Sequence, residues 1–127
     1  MAVDSAESAG AARRRRAQGA KADRLQAALT ALDPTLARWA DDFVFGEVWA
    51  GDVLSHEERM LVAITALAAL DRRDQLRNYL HGALQAGIGA DKLREALKML
   101  VVYAGFPTSI DALLELDHAV GARSGQS

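Results

Sequence analysis

Residues 55–105, SHEERMLVAITALAALDRRDQLRNYLHGALQAGIGADKLREALKMLVVYAG, decide how the rest of the chain is arranged. The stretch contains a nearly all-apolar run, Met60 to Leu70, with no charged residue inside it. A helix that is apolar on every side must be covered on every side. We therefore predict that this helix is the central element, and that the other segments pack on it or lead up to it.

Helical spacing of apolar residues predicts five further helices around this one. Ser55 and Glu58 form the pattern of a capping box at the start of the central helix. Gly87 and Gly105 are placed to end helices in a left-handed conformation. No segment alternates with the period of a strand, so the sequence predicts an all-α fold of about six helices. The five flanking helices are expected over 17–31, 34–50, 72–86, 91–104 and 108–121.

The helix predicted over 91–104 carries two apolar stripes. Leu93, Leu97, Leu100, Val101 and Ala104 form the first stripe, and Met99, Val102 and Tyr103 form the second. This pattern predicts a helix that buries two faces. A chain of 127 residues with six short helices also leaves apolar surface near its outside. We therefore expect the protein to assemble into oligomers.

The N-terminal residues have a different charge from the rest of the chain. Residues 1–32 carry six Lys or Arg against three acidic residues, whereas residues 33–120 carry eight against fourteen. We predict a disordered basic leader over 1–16, a helical domain over 17–122 and a loose tail over 123–127. The run Arg13–Arg16 is either a tether for nucleic acid or an anionic surface, or the solvated first turn of a helix. The second interpretation is favoured because no sequence motif for nucleic-acid recognition accompanies the four arginines.

Composition excludes several classes of function. The chain has no cysteine, which excludes disulfides, thiolate metal sites and dithiol redox chemistry. No apolar run reaches the roughly 18 residues of a membrane helix, and no apolar stretch of a secretory signal follows the arginines. We expect a cytoplasmic protein that does not bind a membrane. The three histidines lack a metal-site spacing, and neither His56 nor His118 requires a special role.

Four segments in order resemble the carboxymuconolactone decarboxylase family, which is related to the alkyl hydroperoxidase D-like proteins. They are FGEVWAGDVLSHEERMLV at 45–62, LAALD at 67–71, QLRNYLHGALQAGI at 75–88 and LREALKMLVVYAGFPTSIDAL at 93–113. The resemblance covers about residues 33–120. It implies an alkyl hydroperoxidase D-like helical bundle, assembled as homotrimers or homohexamers, with active sites near subunit interfaces. It also implies decarboxylation of a small lactone acid without a metal or organic cofactor.

This sequence departs from the family at its chemical positions. The resemblance places Tyr79 where the decarboxylases carry a His, and His81 lies two residues later. Two residues correspond to about 200° around a helix, so His81 cannot simply replace the missing His. The cysteine positions of the peroxidases fall at about Arg72 and Gln75, and their Glu falls at about Met60. Peroxidase activity of the dithiol type is therefore excluded.

Four residues are candidates for catalysis, each with a plainer alternative. Tyr79 either orients a substrate carbonyl as a weak acid or marks a site that has lost its function. His81 is either a general base or a surface or subunit-contact residue. Arg59 either binds a substrate carboxylate or pairs with Glu47, Asp52 or a neighbouring subunit. Glu47, beside aromatic residues, is either an acid or a solvated, paired carboxylate.

These candidates lead to two hypotheses of function. The first is a cofactor-free decarboxylase-like lyase or isomerase that acts on a small organic acid or ketone, cyclic substrates included. The second is a non-catalytic oligomer that binds a ligand or partner and has kept the fold. An apolar pocket is predicted from residues 43–49, 79–84 and 103–106, with lining by Phe43, Trp49, Leu84, Tyr103 and Phe106.

Overall fold

A computed structural model of the protein describes residues 8–125, with side chains described as far as residue 123. Within this range the chain forms helices and turns without strands, which confirms the all-α prediction. Of the helices in this range, six have nine or more residues, and two are shorter. The helices are α1 (Ala9–Gln18), α2 (Ala22–Leu32), α3 (Pro34–Trp39), α4 (His56–Ala69), α5 (Arg73–Gln85), α6 (Ala90–Lys98), α7 (Leu100–Tyr103) and α8 (Phe106–Gly125).

Helix α1 corrects the prediction of a disordered leader over 1–16. Ser8 caps this helix, because its side-chain oxygen accepts a hydrogen bond from the Ala11 amide at 3.0 Å. Arg14 is buried inside the protein, so the arginine run is not simply a solvated turn. The part of the prediction that concerns residues 1–7 lies outside the described residues. At the other end, α8 extends to Gly125, beyond the predicted start of a loose tail at 123.

The predicted helix over 34–50 is divided into three pieces. After α3, residues 40–44 form a π-helical turn, in which the Phe45 amide donates to the Ala40 carbonyl at 2.9 Å. A π turn inserts one residue and rotates the following side chains around the axis. Phe45 consequently lies in the core, with only 2% of its surface exposed, whereas Phe43 remains 54% exposed. A short 3₁₀ turn, Val48–Ala50, leads to the loop before α4.

Helix α5, rather than α4, occupies the centre of the protomer. It packs against α1, α4 and α8, and it buries Leu76, Leu80, Ala83 and Leu84. Helix α4 buries Met60, Ile64 and Ala68 along one stripe. Val62 on its opposite side is 61% exposed. The prediction that this helix is covered on every side is therefore wrong for the single chain.

The signals predicted at helix ends are present. The Ser55 side-chain oxygen accepts from the Glu58 amide at 3.0 Å, and the Glu58 carboxylate accepts from the Ser55 amide at 2.8 Å. Gly87 and Gly105 have φ angles of 92° and 98°, which are accessible to glycine without strain. The capping box and both glycine stops are thus confirmed.

The predicted helix over 91–104 is interrupted at Met99, which separates α6 from α7. Leu93, Leu97 and Leu100 are buried as predicted. Met99, Val102 and Tyr103 are 57%, 77% and 77% exposed, so the second apolar face is not buried within the protomer. The prediction of two buried faces is wrong for the single chain.

No helix in residues 8–125 is both long enough and apolar enough to span a bilayer.

Candidate functional site

Tyr79 lies in a groove between α5 and α2. Gln75, Asn78 and Tyr79 occupy one face of α5, because positions three and four apart are neighbours on a helix. Gln18, at the end of α1, borders the same groove, which has a volume of about 250 Å³. The opposite wall is aliphatic and comes from α2. It consists of Leu25, Ala28, Leu29 and Leu32.

The phenol of Tyr79 is partly buried, and its surroundings keep it protonated. Burial raises the pKa of Tyr79, and a hydrogen bond with the Gln18 side chain opposes this effect. The net pKa lies above the ordinary value of 10.0, so the hydroxyl is neutral at physiological pH. The side-chain Oε1 atom of Gln18 is buried without a hydrogen-bond partner among the described residues. The groove therefore presents a neutral hydroxyl beside the side-chain amide of Gln18.

His81 lies outside this groove, as its spacing from Tyr79 predicts. The His81 imidazole experiences the positive charges of Lys21, Arg77 and Arg123. Burial lowers the pKa of His81 first, and these three positive charges lower it further. The imidazole is therefore neutral at pH 7. The neutral imidazole of His81 can accept a proton, but it is a weaker base than a histidine side chain in water.

Arg59 is held by backbone carbonyl groups rather than by a carboxylate. Its guanidinium donates to the carbonyl oxygens of Val48 at 3.0 Å, Gly51 at 2.9 Å and Leu54 at 3.3 Å. Within the described residues, neither Glu47 nor Asp52 forms an ion pair with it. The predicted pairing with these acids is therefore not observed. Arg59 instead closes the loop over residues 48–54 onto the start of α4.

The remaining predicted residues are distributed over the molecule. Glu47 is exposed after the π turn. Trp49 packs on the buried Phe45, with ring centroids 5.0 Å apart, and Leu84 belongs to the core. Phe43, Tyr103 and Phe106 each expose more than half of their surface. The predicted set therefore does not line a common enclosed pocket in the protomer.

Comparison with known proteins assigns the chain to a family. The model of the carboxymuconolactone decarboxylase family matches residues 34–118, about two thirds of the chain. The chain belongs to this family. It is also 39% identical over 71 residues to a 4-carboxymuconolactone decarboxylase of Acinetobacter baylyi. That match covers 56% of this chain and 53% of the relative, so the chain spans about half the length of the curated relative it matches.

Two parts of the Tyr79 groove have no signal in the sequence that marks them as lining residues. Leu25 and Leu29 have the spacing of an apolar stripe on a helix, but nothing local shows that such a stripe borders a groove instead of filling the core. Gln18 has no local signal at all, because its role depends on how α1 packs against α5. In residues 8–123, no three His, Asp or Glu side chains are grouped as metal ligands.

Proposed function

We propose that this member of the carboxymuconolactone decarboxylase family is a cofactor-free lyase that decarboxylates a small organic acid in the Tyr79 groove. A single observation carries the proposal. The neutral Tyr79 hydroxyl lies in a groove with an aliphatic wall, at the position where the resemblance to the family predicts the catalytic His. The substrate is an acid whose carboxylate lies one carbon from a carbonyl or conjugated lactone.

The proposed reaction needs only a hydrogen-bond donor and an apolar surface. The carbon–carbon bond to the carboxylate breaks, CO₂ leaves, and the electron pair moves into the conjugated carbonyl as an enolate. The Tyr79 hydroxyl donates to the enolate oxygen, where negative charge develops. A proton from water or from the phenol is then added to carbon. The leucines of α2 favour the loss of CO₂, because they hold the reacting carboxylate away from bulk water.

Substitution of Tyr79 by Phe tests the role of the hydroxyl. We expect kcat for CO₂ release to fall by about 10²–10³ with little change in KM, since removal of one oxyanion donor has an effect of this order. The assay uses purified protein with 4-carboxymuconolactone and a panel of small β-keto acids. Tyr103→Phe is the matched control, because it removes an exposed hydroxyl elsewhere. Equal losses in the two variants, or no CO₂ release from any acid by the parent, would contradict the proposal.

One observation favours a non-catalytic alternative, in which the protein only binds a ligand. Tyr79, His81, Arg59 and Glu47 do not converge on one site in the protomer. Under this alternative, a Tyr79→Phe, His81→Ala double variant binds an apolar acid as tightly as the parent does. The parent then also releases no CO₂ from that acid. Decarboxylation that depends on Tyr79 would exclude the alternative.

We also propose that the protein assembles as a homotrimer or homohexamer through α7 and the exposed side of α8. The support is an exposed apolar surface that a single folded chain rarely retains. It comprises Met99, Val102, Tyr103, Phe106, Ile110 and Leu114.

A further inference from the structure

A second cleft, separate from the Tyr79 groove, lies between α1 and the start of α4. Its volume is about 170 Å³, and Arg13 and Arg16 of α1 form one side. His56 and Arg59, from the first turn of α4, form the opposite side. The lining is completed by Trp49, Ala50, Gly51 and Leu54. No residue of the Tyr79 groove borders this cleft.

The cleft is strongly positive. Three guanidinium groups border it, and no carboxylate is part of its lining. Within the described residues, none of these three arginines forms an ion pair. Arg13 uses one N–H group on the Phe45 carbonyl at 3.0 Å, which leaves its other donors available. The cleft also lies at the N-terminal end of α4, where the helix dipole adds positive potential.

Glu47 and Asp52 flank the lining residues Trp49–Gly51 in sequence, but neither borders the cleft. Three further carboxylates near these segments are engaged elsewhere. Glu57 pairs with Lys92 at 2.6 Å, and Glu58 is used by the capping box with Ser55. Asp41 pairs with Arg14 at 2.6 Å on another side of α1. None of these carboxylates borders the cleft, so they do not line it as counter-ions.

His56 contributes an unsatisfied polar atom. Its Nε2 is buried and has no hydrogen-bond partner among the described residues. The ring packs against Trp49, with centroids 5.7 Å apart and planes inclined by 54°. A buried polar atom without a partner is costly, and His56 borders the cleft, so a ligand there that supplied the partner would offset this cost.

The cleft continues into an apolar hollow. Trp49, Leu54 and Arg59 border both spaces. Val48, Val62 and Ala63 complete the hollow, which has a volume of about 270 Å³. A positive cleft that adjoins an apolar hollow is complementary to a molecule with a negative end and an apolar body.

We propose that the cleft between α1 and α4 binds a small organic carboxylate with an apolar or aromatic body. Arg13, Arg16 and His56 bind the carboxylate, while Trp49, Leu54 and Val62 contact the body. The site is independent of Tyr79 and of the proposed decarboxylation, so either proposal can fail without the other.

Benzoate is the probe, and Trp49 is the reporter. The chain has two tryptophans, so a Trp39→Phe variant leaves Trp49 as the single tryptophan fluorophore. In this background we expect saturable quenching by benzoate, and no such effect from benzyl alcohol, which lacks the charge. Arg16→Gln should weaken benzoate binding at least about tenfold, the effect of losing one charge-assisted hydrogen bond. Arg24→Gln, at an exposed arginine outside the cleft, is the matched control.

The pH dependence provides a second readout. Burial lowers the pKa of His56 below 6.5, and the positive charge of Arg16 lowers it further. A bound carboxylate favours the imidazolium, so benzoate affinity should rise as pH falls from about 7.5 to about 5.5. Arg13, Arg16 and Arg59, the other charged groups that line the cleft, remain cationic throughout. His56→Phe keeps an aromatic ring against Trp49 and should abolish this dependence.

Several outcomes would overturn the proposal. Inorganic phosphate carries negative charge without an apolar body, so quenching by phosphate as strong as that by benzoate excludes an organic acid as the ligand class. Equal benzoate affinity in Arg16→Gln and Arg24→Gln excludes the cleft as the binding site. Unchanged benzoate binding in Tyr79→Phe, in contrast, supports a site separate from the groove. Loss of decarboxylation in that same variant concerns only the proposed reaction.

Discussion

Arg14 shows how a single residue fixes the position of a helix. Its side chain is only 3% exposed, and it donates to Asp41 at 2.6 Å and to the Ala22 carbonyl at 3.1 Å. Gln26 donates to the Ala37 carbonyl at 2.9 Å and to the same Asp41 carboxylate at 3.4 Å. One network therefore joins α1, α2, α3 and the π turn.

Removal of the Arg14 side chain should destabilise the protein strongly. We expect Arg14→Ala to lower the free energy of unfolding by about 3 kcal/mol, since it leaves the partly buried Asp41 carboxylate without its partner. Urea unfolding followed by circular dichroism measures the difference. Arg38→Ala, at an exposed arginine of α3, should change stability by less than about 0.5 kcal/mol. Similar losses in both variants would show that the Arg14 network contributes little.

Glu115 should make stability depend on pH in the acid range. Arg77 donates two hydrogen bonds to this buried carboxylate, at 3.0 and 3.1 Å, and they hold the pKa of Glu115 below 4.5. A carboxyl group with a lowered pKa in the folded state contributes stability that is present above the unfolded pKa. That stability is lost as pH falls from about 4.5 through the folded pKa.

The test compares the parent with Glu115→Gln in urea unfolding between about pH 6 and about pH 3, a range that spans the unfolded pKa of a glutamate. At the upper end the variant should be less stable than the parent, and its stability should fall less steeply as the solution is acidified. Parallel curves for the two proteins would contradict the assigned role of Glu115.

At the scale of elements, the contact of α1 with α5 depends on a missing side chain. A Cβ atom on Gly82 would lie 1.8 Å from the Ala17 carbonyl oxygen, so the two helices meet at this point backbone to backbone. Ala17 itself is fully buried. This close contact between the backbones of α1 and α5 explains why α1 carries small residues on its inner side instead of leucines.

Gly82→Ala should therefore be destabilising, even though alanine is the better helix former. We expect a loss of about 1–3 kcal/mol from overpacking, measured by thermal or urea unfolding. Gly121→Ala in α8 is the matched control, because a Cβ atom added there would have no neighbouring atom within 4 Å. That change should stabilise the protein by about 0.5–1 kcal/mol. If Gly82→Ala were also stabilising, the close approach would not exist in solution.

The same elements explain which parts of the fold could be predicted. The capping box at Ser55 and the glycine stops at Gly87 and Gly105 are local signals, and all three predictions are confirmed. Helix α1 escaped prediction because its inner face consists of Gly10, Ala11, Arg14 and Ala17, which produce no apolar period. The π turn at 40–44 escaped prediction because tertiary packing of Phe45, not a local motif, determines it.

The candidate site was predictable in a similar, partial way. Tyr79 could be identified because the resemblance to the family pointed to its position. Its partners Gln18, Leu25 and Leu29 belong to segments outside the matched region, and only the packing of α1 and α2 brings them to α5. One role predicted for Arg59 was an ion pair with Glu47 or Asp52. The Arg59 guanidinium instead donates hydrogen bonds to backbone carbonyl oxygens of the loop before α4.

At the scale of the whole molecule, the distribution of exposed apolar side chains is uneven. Phe106, Ile110 and Leu114 recur every four residues along α8 and are 64%, 48% and 56% exposed. Val102 and Tyr103 of the adjacent α7 are each 77% exposed. Burial of such a surface between copies of the chain would stabilise an assembly by roughly 25 cal/mol for each Å² of apolar surface removed from water.

Val102→Asp should dissociate that assembly. A charge at the centre of the apolar surface would lose its hydration on association, so we expect a shift towards monomers in analytical ultracentrifugation. Val53→Asp, in the loop before α4, is the matched control because Val53 is 90% exposed and lies outside this surface. A monomeric parent, or equal sedimentation of both variants, would contradict assembly through α7 and α8.

The position of α1 and α2 has a consequence for how proteins of this kind diversify. These two helices precede the region that defines the family, yet α2 forms one wall of the Tyr79 groove and α1 forms one wall of the basic cleft. The shared bundle can therefore remain constant while the segment before it is replaced. Sequence changes confined to α1 and α2 would therefore alter the lining of both spaces while residues 34–118 stay the same.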